Sequence, residues 1–173
     1  MRTNLSSQIT LNRVSTKYYK PKNAVERSVL TRFEKVPTDI YESVDEGVNH
    51  IANEIAGKIQ DRQREGKFFV IGAGTGASLR PLYAELVRKH KDEGLSFRNV
   101  VVFNLYEYYP LTPESAGSSY SQLFDLFVGQ VDIDKQNVFT IDGSIPQESV
   151  FEYCRLYEQR LQTFGGMDIV LMG

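Results

Sequence analysis

The chain has 173 residues, 41% apolar and 24% charged, with a net charge of −2. That length supports one domain with a real core, and the lack of a basic block argues against a nucleic-acid backbone as partner. No apolar run is long enough to span a membrane, and a single cysteine, Cys154, excludes an internal disulfide and makes the cytoplasm the expected location. Residues 1–22 are polar and mildly basic, with no apolar leader core or cleavage site. They are expected to form an arm, with Tyr18 and Tyr19 available to dock it, ahead of a single domain over 23–173.

The first helix is expected to open at Asn23, with Glu26 at capping-box spacing. Val25, Val29, Leu30 and Phe33 form its apolar stripe, and Pro37 stops it. A second helix starts at Ser43, with Glu46 completing the box. It carries Val44, Val48, Ile51, Ala52, Ile55 and Ile59 at helical spacing and ends at Gly66. The period then changes. "KFFVIG" is a continuous apolar run, as in a strand buried on both faces. "GAGTGAS" follows, then a helix from about Leu79 to Lys91 with Pro81 in its first turn. "NVVVFNL" is the second strand, and "SSYSQLFDLFV" is a helix with Tyr120, Leu123, Phe124 and Phe127 inward. "NVFTID" is the third strand. Ser144 and Gln147 are expected to cap a helix bearing Val150, Cys154, Tyr157 and Leu161 on its apolar side. "MDIVLM" is the fourth strand. The order βαβαβαβ, preceded by N-terminal helices, predicts an α/β fold: a Rossmann-like parallel sheet with helices on both faces. A chain that ends on a buried-type strand is expected to be a truncated form of a larger fold.

Ligands in such sheets sit at the carboxyl ends of strands. Two places qualify: Gly72–Ser78 and the "NLYEYYPL" segment, Asn104–Leu111. A glycine loop leading into a helix offers free amides and a positive dipole end, which suit a phosphate. Ser78 can cap the helix or donate to the anion, and Arg80 adds charge nearby. Gly72, Gly74 and Ala77 also fit G-x-G-x-x-A, but the acidic partner of a dinucleotide site is misplaced. Asp92 and Glu93 precede the second strand, and Glu107 comes too late. His50 and His90 have no metal-spaced companions, so no metal site is expected. His50 reads as a surface or boundary residue and His90 as a helix-end charge. Cys154 reads as core, and Asp168 as a loop or cap residue before the last strand.

The glycine loop, "LSFRNVVVFNLYEYYPL", "SSYSQLF" and "VDIDKQNV", in this order over roughly Val44 to Gly173, resemble the glucosamine-6-phosphate deaminase (isomerase) family. The resemblance implies a Rossmann-like domain that takes glucosamine 6-phosphate to fructose 6-phosphate and ammonia in amino-sugar metabolism, with no redox cofactor or metal. It assigns the sugar phosphate to Thr75, Gly76, Ala77 and Ser78, where the family loop usually reads T-G-G-T-P. It assigns catalysis to Tyr106 and Glu107, at the place of a D-E-Y motif whose aspartate moves a proton between C2 and C1.

Here that aspartate is replaced by Tyr106. A carboxylate titrates at about 4 and a phenol at about 10, so a tyrosine is a poor base at neutral pH. Glu107 is one residue away, and neighbouring side chains on a strand face opposite sides. The family stretch G-x-G-x-D-G-H-I-A-F-N-E-P, which carries a ring-opening histidine, would follow Gly173. This polypeptide alone is therefore not expected to be a complete catalyst. Three functions stay open: a deaminase-like enzyme, a non-catalytic sugar-phosphate-binding regulatory module, and a 6-phosphogluconolactonase-like hydrolase, whose strand end usually reads D-E-R. The expected partner is a small sugar phosphate, without nucleic acid or membrane. A homo-oligomer and an additional domain both stay open.

Overall fold

The computed structural model describes residues 23–33, 36 and 38–173. Pro37, Tyr18, Tyr19, the arm over 1–22 and the side chain of Leu30 lie outside the described part. The chain divides into two compact units, 1–47 and 48–173. In the first, α1 (Ala24–Thr31) is capped by Asn23, whose side chain accepts from the Glu26 amide at 2.8 Å. Its stripe residues Val25, Val29 and Phe33 stand exposed. Ser43 accepts from the Glu46 amide at 3.1 Å, and Glu46 reaches back to the Glu42 amide at 2.9 Å. This capping box starts α2 (Val44–Arg64).

The second unit holds the sheet. β1 (Phe69–Ala73), β2 (Val100–Asn104), β3 (Val138–Phe139) and β4 (Ile169–Leu171) are all parallel, in the order β3-β2-β1-β4. β1 and β2 are buried throughout, as their unbroken apolar runs require. Ile71, Ala73, Val100 and Val102 face one core with Ala52, Ile55 and Ile59 of α2. Tyr83 and Leu86 of α3 (Arg80–Glu93) and Leu123 of α4 (Ser119–Leu126) complete it. Val70, Val101 and Phe103 face the other side, where Tyr157 and Leu161 of α5 (Val150–Thr163) pack. Helices thus cover both faces.

The third strand keeps only Val138–Phe139 of its expected run, and three residues expected in helices or at their caps also differ from expectation. Ser144 does not cap α5. Its amide and hydroxyl turn back to Asp142 at 2.8 and 2.6 Å, and the helix opens at Val150 after a single 3-10 turn, Gln147–Ser149. Cys154 is exposed rather than core, because α5 buries none of its residues fully. Phe127 is buried as expected but lies one residue beyond α4. Asp168 joins elements: it pairs with Arg62 of α2 and accepts from the Val70 amide at 2.9 Å. His90 lies against the Leu95 carbonyl, 2.7 Å away.

The strand order sets the site. The chain runs from β1 through β2 to β3 on one side, then crosses to β4 on the other side of β1. The crevice at such a reversal lies outside the carboxyl ends of the two strands that flank it. Here those are β1 and β4, and the segment leaving β1 is the glycine loop.

Candidate functional site

Each part of the loop has an identifiable support. The Gly74 amide donates to Leu171 at the end of β4, at 3.0 Å. The Gly74 carbonyl accepts from the buried Tyr83 hydroxyl of α3 at 2.6 Å. Burial raises the Tyr83 pKa, so this phenol stays a donor. A side chain at Gly74 would meet the Leu171 carbonyl at 3.1 Å and the Tyr106 ring at 3.4 Å. At Gly76 it would run into the backbone of Gly173. These two glycines permit a close approach of backbone to backbone.

Beyond Gly74 the loop turns into a 3-10 segment, Ala77–Leu79, and then into α3. The Leu79 amide closes onto the Gly76 carbonyl at 3.0 Å. The amides of Gly76, Ala77 and Ser78 have no acceptor among the described residues. Three successive amides without an acceptor, just ahead of α3, offer an anion the donors it needs. Ser78 caps neither the 3-10 segment nor α3, so its exposed hydroxyl is not spent on the helix. Arg80 is exposed at the first position of α3.

The two neighbours Tyr106 and Glu107 go separate ways. β2 ends at Asn104, and Leu105 still pairs, its amide donating to Ala73 at 3.1 Å. Tyr106 then turns towards the glycine loop. Its hydroxyl oxygen accepts from the Thr75 amide at 2.9 Å and lies 3.1 Å from the Thr75 hydroxyl. Thr75 Oγ1 is 3.0 Å from Ser119 Oγ, which donates to Asn104 Oδ1 at 3.3 Å. Thr75, Ser119 and Asn104 are all buried. The side-chain Nδ2 of Asn104 is buried without a partner.

Glu107 points the other way, to the start of α4. Its carboxylate accepts from the Ser118 hydroxyl at 2.8 Å and from the amides of Ser119, Tyr120 and Tyr108 at 2.8, 3.0 and 2.9 Å. Partial burial pushes its pKa up, but these donors outweigh that and hold it below the usual carboxylate range. A carboxylate so engaged is a fixed anion at a helix N-terminus, and its lone pairs are largely committed. Tyr109 and Pro110 are joined by a cis peptide bond.

The structure therefore brings Thr75, Gly76, Ala77, Ser78 and Tyr106 together and sets Glu107 to one side of them, facing α4. Sequence reasoning did not find Tyr83, Ser119 or Asn104 as parts of this frame. Ser118 had a local signal, since its side chain caps α4 by accepting from Ser121. The others act over separations of 9 to 44 residues, which no local pattern carries. Among the described residues no three His, Cys, Asp or Glu side chains gather as a metal site, and no helix is long and apolar enough to cross a membrane.

A parallel sheet ordered 3-2-1-4, with an amide-lined glycine loop at its reversal point, defines an α/β protein of Rossmann-like architecture. The sequence profile of the glucosamine-6-phosphate isomerase/6-phosphogluconolactonase family matches residues 42–173. A glucosamine-6-phosphate deaminase-like protein of Bacteroides thetaiotaomicron is 60% identical over the whole chain, which spans 26% of that relative. The glucosamine-6-phosphate isomerase of Candida albicans is 32% identical over 78% of this chain and 52% of its own length. A solved monomeric glucosamine-6-phosphate deaminase superposes with a TM-score of 0.69 at 28% identity, over 75% of this chain and 52% of the other. The 6-phosphogluconolactonase of Thermotoga maritima shares the fold, with a TM-score of 0.56 at 21% identity, over 71% and 53%. The chain belongs to the glucosamine-6-phosphate isomerase/6-phosphogluconolactonase family. It spans about half the length, or less, of these relatives.

Proposed function

We propose that the chain is the sugar-phosphate-binding part of a glucosamine-6-phosphate deaminase-like protein of amino-sugar metabolism, working in the cytoplasm. The ligand's phosphate lies on the amides of Gly76, Ala77 and Ser78, with Thr75 and the Ser78 hydroxyl beside it. The observation that carries this reading is the run of three unpaired amides at the reversal point of the sheet. Family membership names the ligand class. Tyr106 and Glu107 are the residues to examine for a part in the reaction. Glu107 already serves α4, and Tyr106 already serves the loop, so binding is better supported than turnover.

The test is calorimetric and thermal. Glucosamine 6-phosphate at about 100 times its Kd should stabilise the chain by about 2.7 kcal/mol, a rise in Tm of about 5 °C or more. No shift with glucosamine 6-phosphate, glucose 6-phosphate or inorganic phosphate would end the reading. Ammonia released from glucosamine 6-phosphate would add catalysis to binding. Hydrolysis of 6-phosphogluconolactone would move the assignment to the other branch of the family.

A further inference from the structure

Among the amides of Thr75, Gly76, Ala77 and Ser78, that of Thr75 alone is taken. Its acceptor is the Tyr106 hydroxyl oxygen, 2.9 Å away. An oxygen at that distance from a loop amide stands where one oxygen of a phosphate held by Thr75, Gly76, Ala77 and Ser78 would stand. The ring itself lies over Gly74, close enough that one added carbon there would touch it.

The hydrogen bonds behind the hydroxyl give this contact a direction. Ser119 donates to Asn104 Oδ1. Thr75 Oγ1 can then donate to Ser119 Oγ, and Tyr106 can donate to Thr75 Oγ1. With the Thr75 amide donating to Tyr106, every hydroxyl in the chain gives one proton and receives one. The inner end is rigid, because Ser119 and Asn104 are buried at 0% and 1% exposure. The outer end is not, because Tyr106 is 38% exposed and its ring can leave without unpacking the core. A phenol that swings out loses a neutral hydrogen bond and regains water, which costs little, whereas a phosphate gains a charge-assisted one.

Building on the sugar-phosphate reading of the loop, we propose that Tyr106 is a ligand-displaced latch: its hydroxyl holds the Thr75 amide in the empty protein, and a sugar phosphate takes that amide only by swinging the phenol out. The latch makes the site discriminating. A ligand that reaches only Gly76, Ala77 and Ser78 leaves it shut. One that also reaches Thr75 must compete with an oxygen already in place. The displaced phenol then stands at the rim with its O–H free to meet the sugar; in the latched position its ring centre lies 6.2 Å from that of Tyr108.

The experiment is an NMR titration of the full chain and its Tyr106→Phe variant with inorganic phosphate, following the Thr75 amide and the Tyr106 ring. The variant keeps the ring and removes the competing oxygen, so it should bind phosphate about five-fold more tightly than the wild type, the change expected for losing one competing hydrogen bond. In the wild type, the Tyr106 ring and Thr75 amide resonances should move together with one midpoint. This second readout needs no variant and decides the matter if Tyr106→Phe fails to fold. Equal or weaker binding by the variant, or a Tyr106 ring that stays still while the Thr75 amide moves, overturns the latch and leaves the loop reading standing. A Thr75 amide that answers phosphate in neither chain, while the Gly76, Ala77 and Ser78 amides do, overturns the latch alone; silence from all four amides overturns the loop reading and the latch together.

Discussion

On one face of the sheet, β1 and β2 present Phe69, Ile71, Ala73, Val100 and Val102 to α2, α3 and α4; on the other, Val70, Val101 and Phe103 meet Tyr157 and Leu161 of α5 with Phe139, Phe164 and Met167 beside them. The first face is closed. Ile55, Ile59, Tyr83, Leu86 and Leu123 lose all contact with water there. The second is half open, and none of the α5 residues is fully buried. Phe151 and Leu156 of α5, and Val170 and Met172 at β4, remain exposed. The site draws its supports from the closed side: Tyr83 holds Gly74, and the start of α4 supplies Ser118 and Ser119. Rigidity is spent where the loop must keep its shape.

That contrast can be broken most directly by truncation. Leu86→Ala on the closed face should cost about 3–4 kcal/mol, as a lost core side chain with little room to collapse. Leu161→Ala on α5 should cost about half as much, because the site is already part-open. Urea unfolding of both variants reads the difference, and equal losses would erase the distinction between the faces.

Glu107→Ala is next, at about 2 kcal/mol, because three donors at the start of α4 and the Tyr108 amide lose their acceptor. Hydrogen exchange should show the Ser119 and Tyr120 amides losing protection before the rest of α4. Acid should reproduce part of this effect. The Glu107 pKa is depressed in the folded chain, so the unfolded chain binds the proton more readily. The stabilisation is then complete above the ordinary glutamate value of about 4.3. It is lost as pH falls through the depressed folded value. Glu107→Gln should flatten that limb of a stability–pH curve.

On the open face, Tyr157→Phe should cost about 1 kcal/mol. Its hydroxyl donates to the carbonyls of Asn104 at 2.8 Å and Phe139 at 3.0 Å, tying β2 to β3. The smallest effect belongs to Cys154. Exposed on α5, it should react with a thiol reagent in the native protein, with a stability change within about 0.5 kcal/mol.

The closed face was the more legible of the two in the sequence. Apolar runs without alternation marked β1 and β2 as buried on both sides. Helical spacing marked Ala52, Ile55 and Ile59, and glycines marked the loop. Each of these signals is local, and each is repeated often enough to survive noise. The open face misled at Cys154, because spacing reveals which side of a helix is apolar but not how much lies above it. It misled again at Ser144, whose amide and hydroxyl both donate to Asp142, so the hydroxyl does not accept from a helix amide. At the site, the place was legible and the wiring was not. That Tyr106 and Glu107 face different elements follows from where β2 stops. Which atoms they find, on Thr75 and on Ser119, depends on the packing of segments far apart in the chain.

The divergence of Tyr106 and Glu107 separates what the pocket does from what keeps it standing. Glu107 fastens the end of β2 to α4, so a new side chain at 106 changes what greets a ligand while the scaffold stays put. Adjacent codons thus carry independent traits. A library varied at 106 alone should yield mostly folded proteins with differing ligand preferences, and one varied at 107 mostly impaired folders. The position open to invention sits one peptide bond from the position that forbids it.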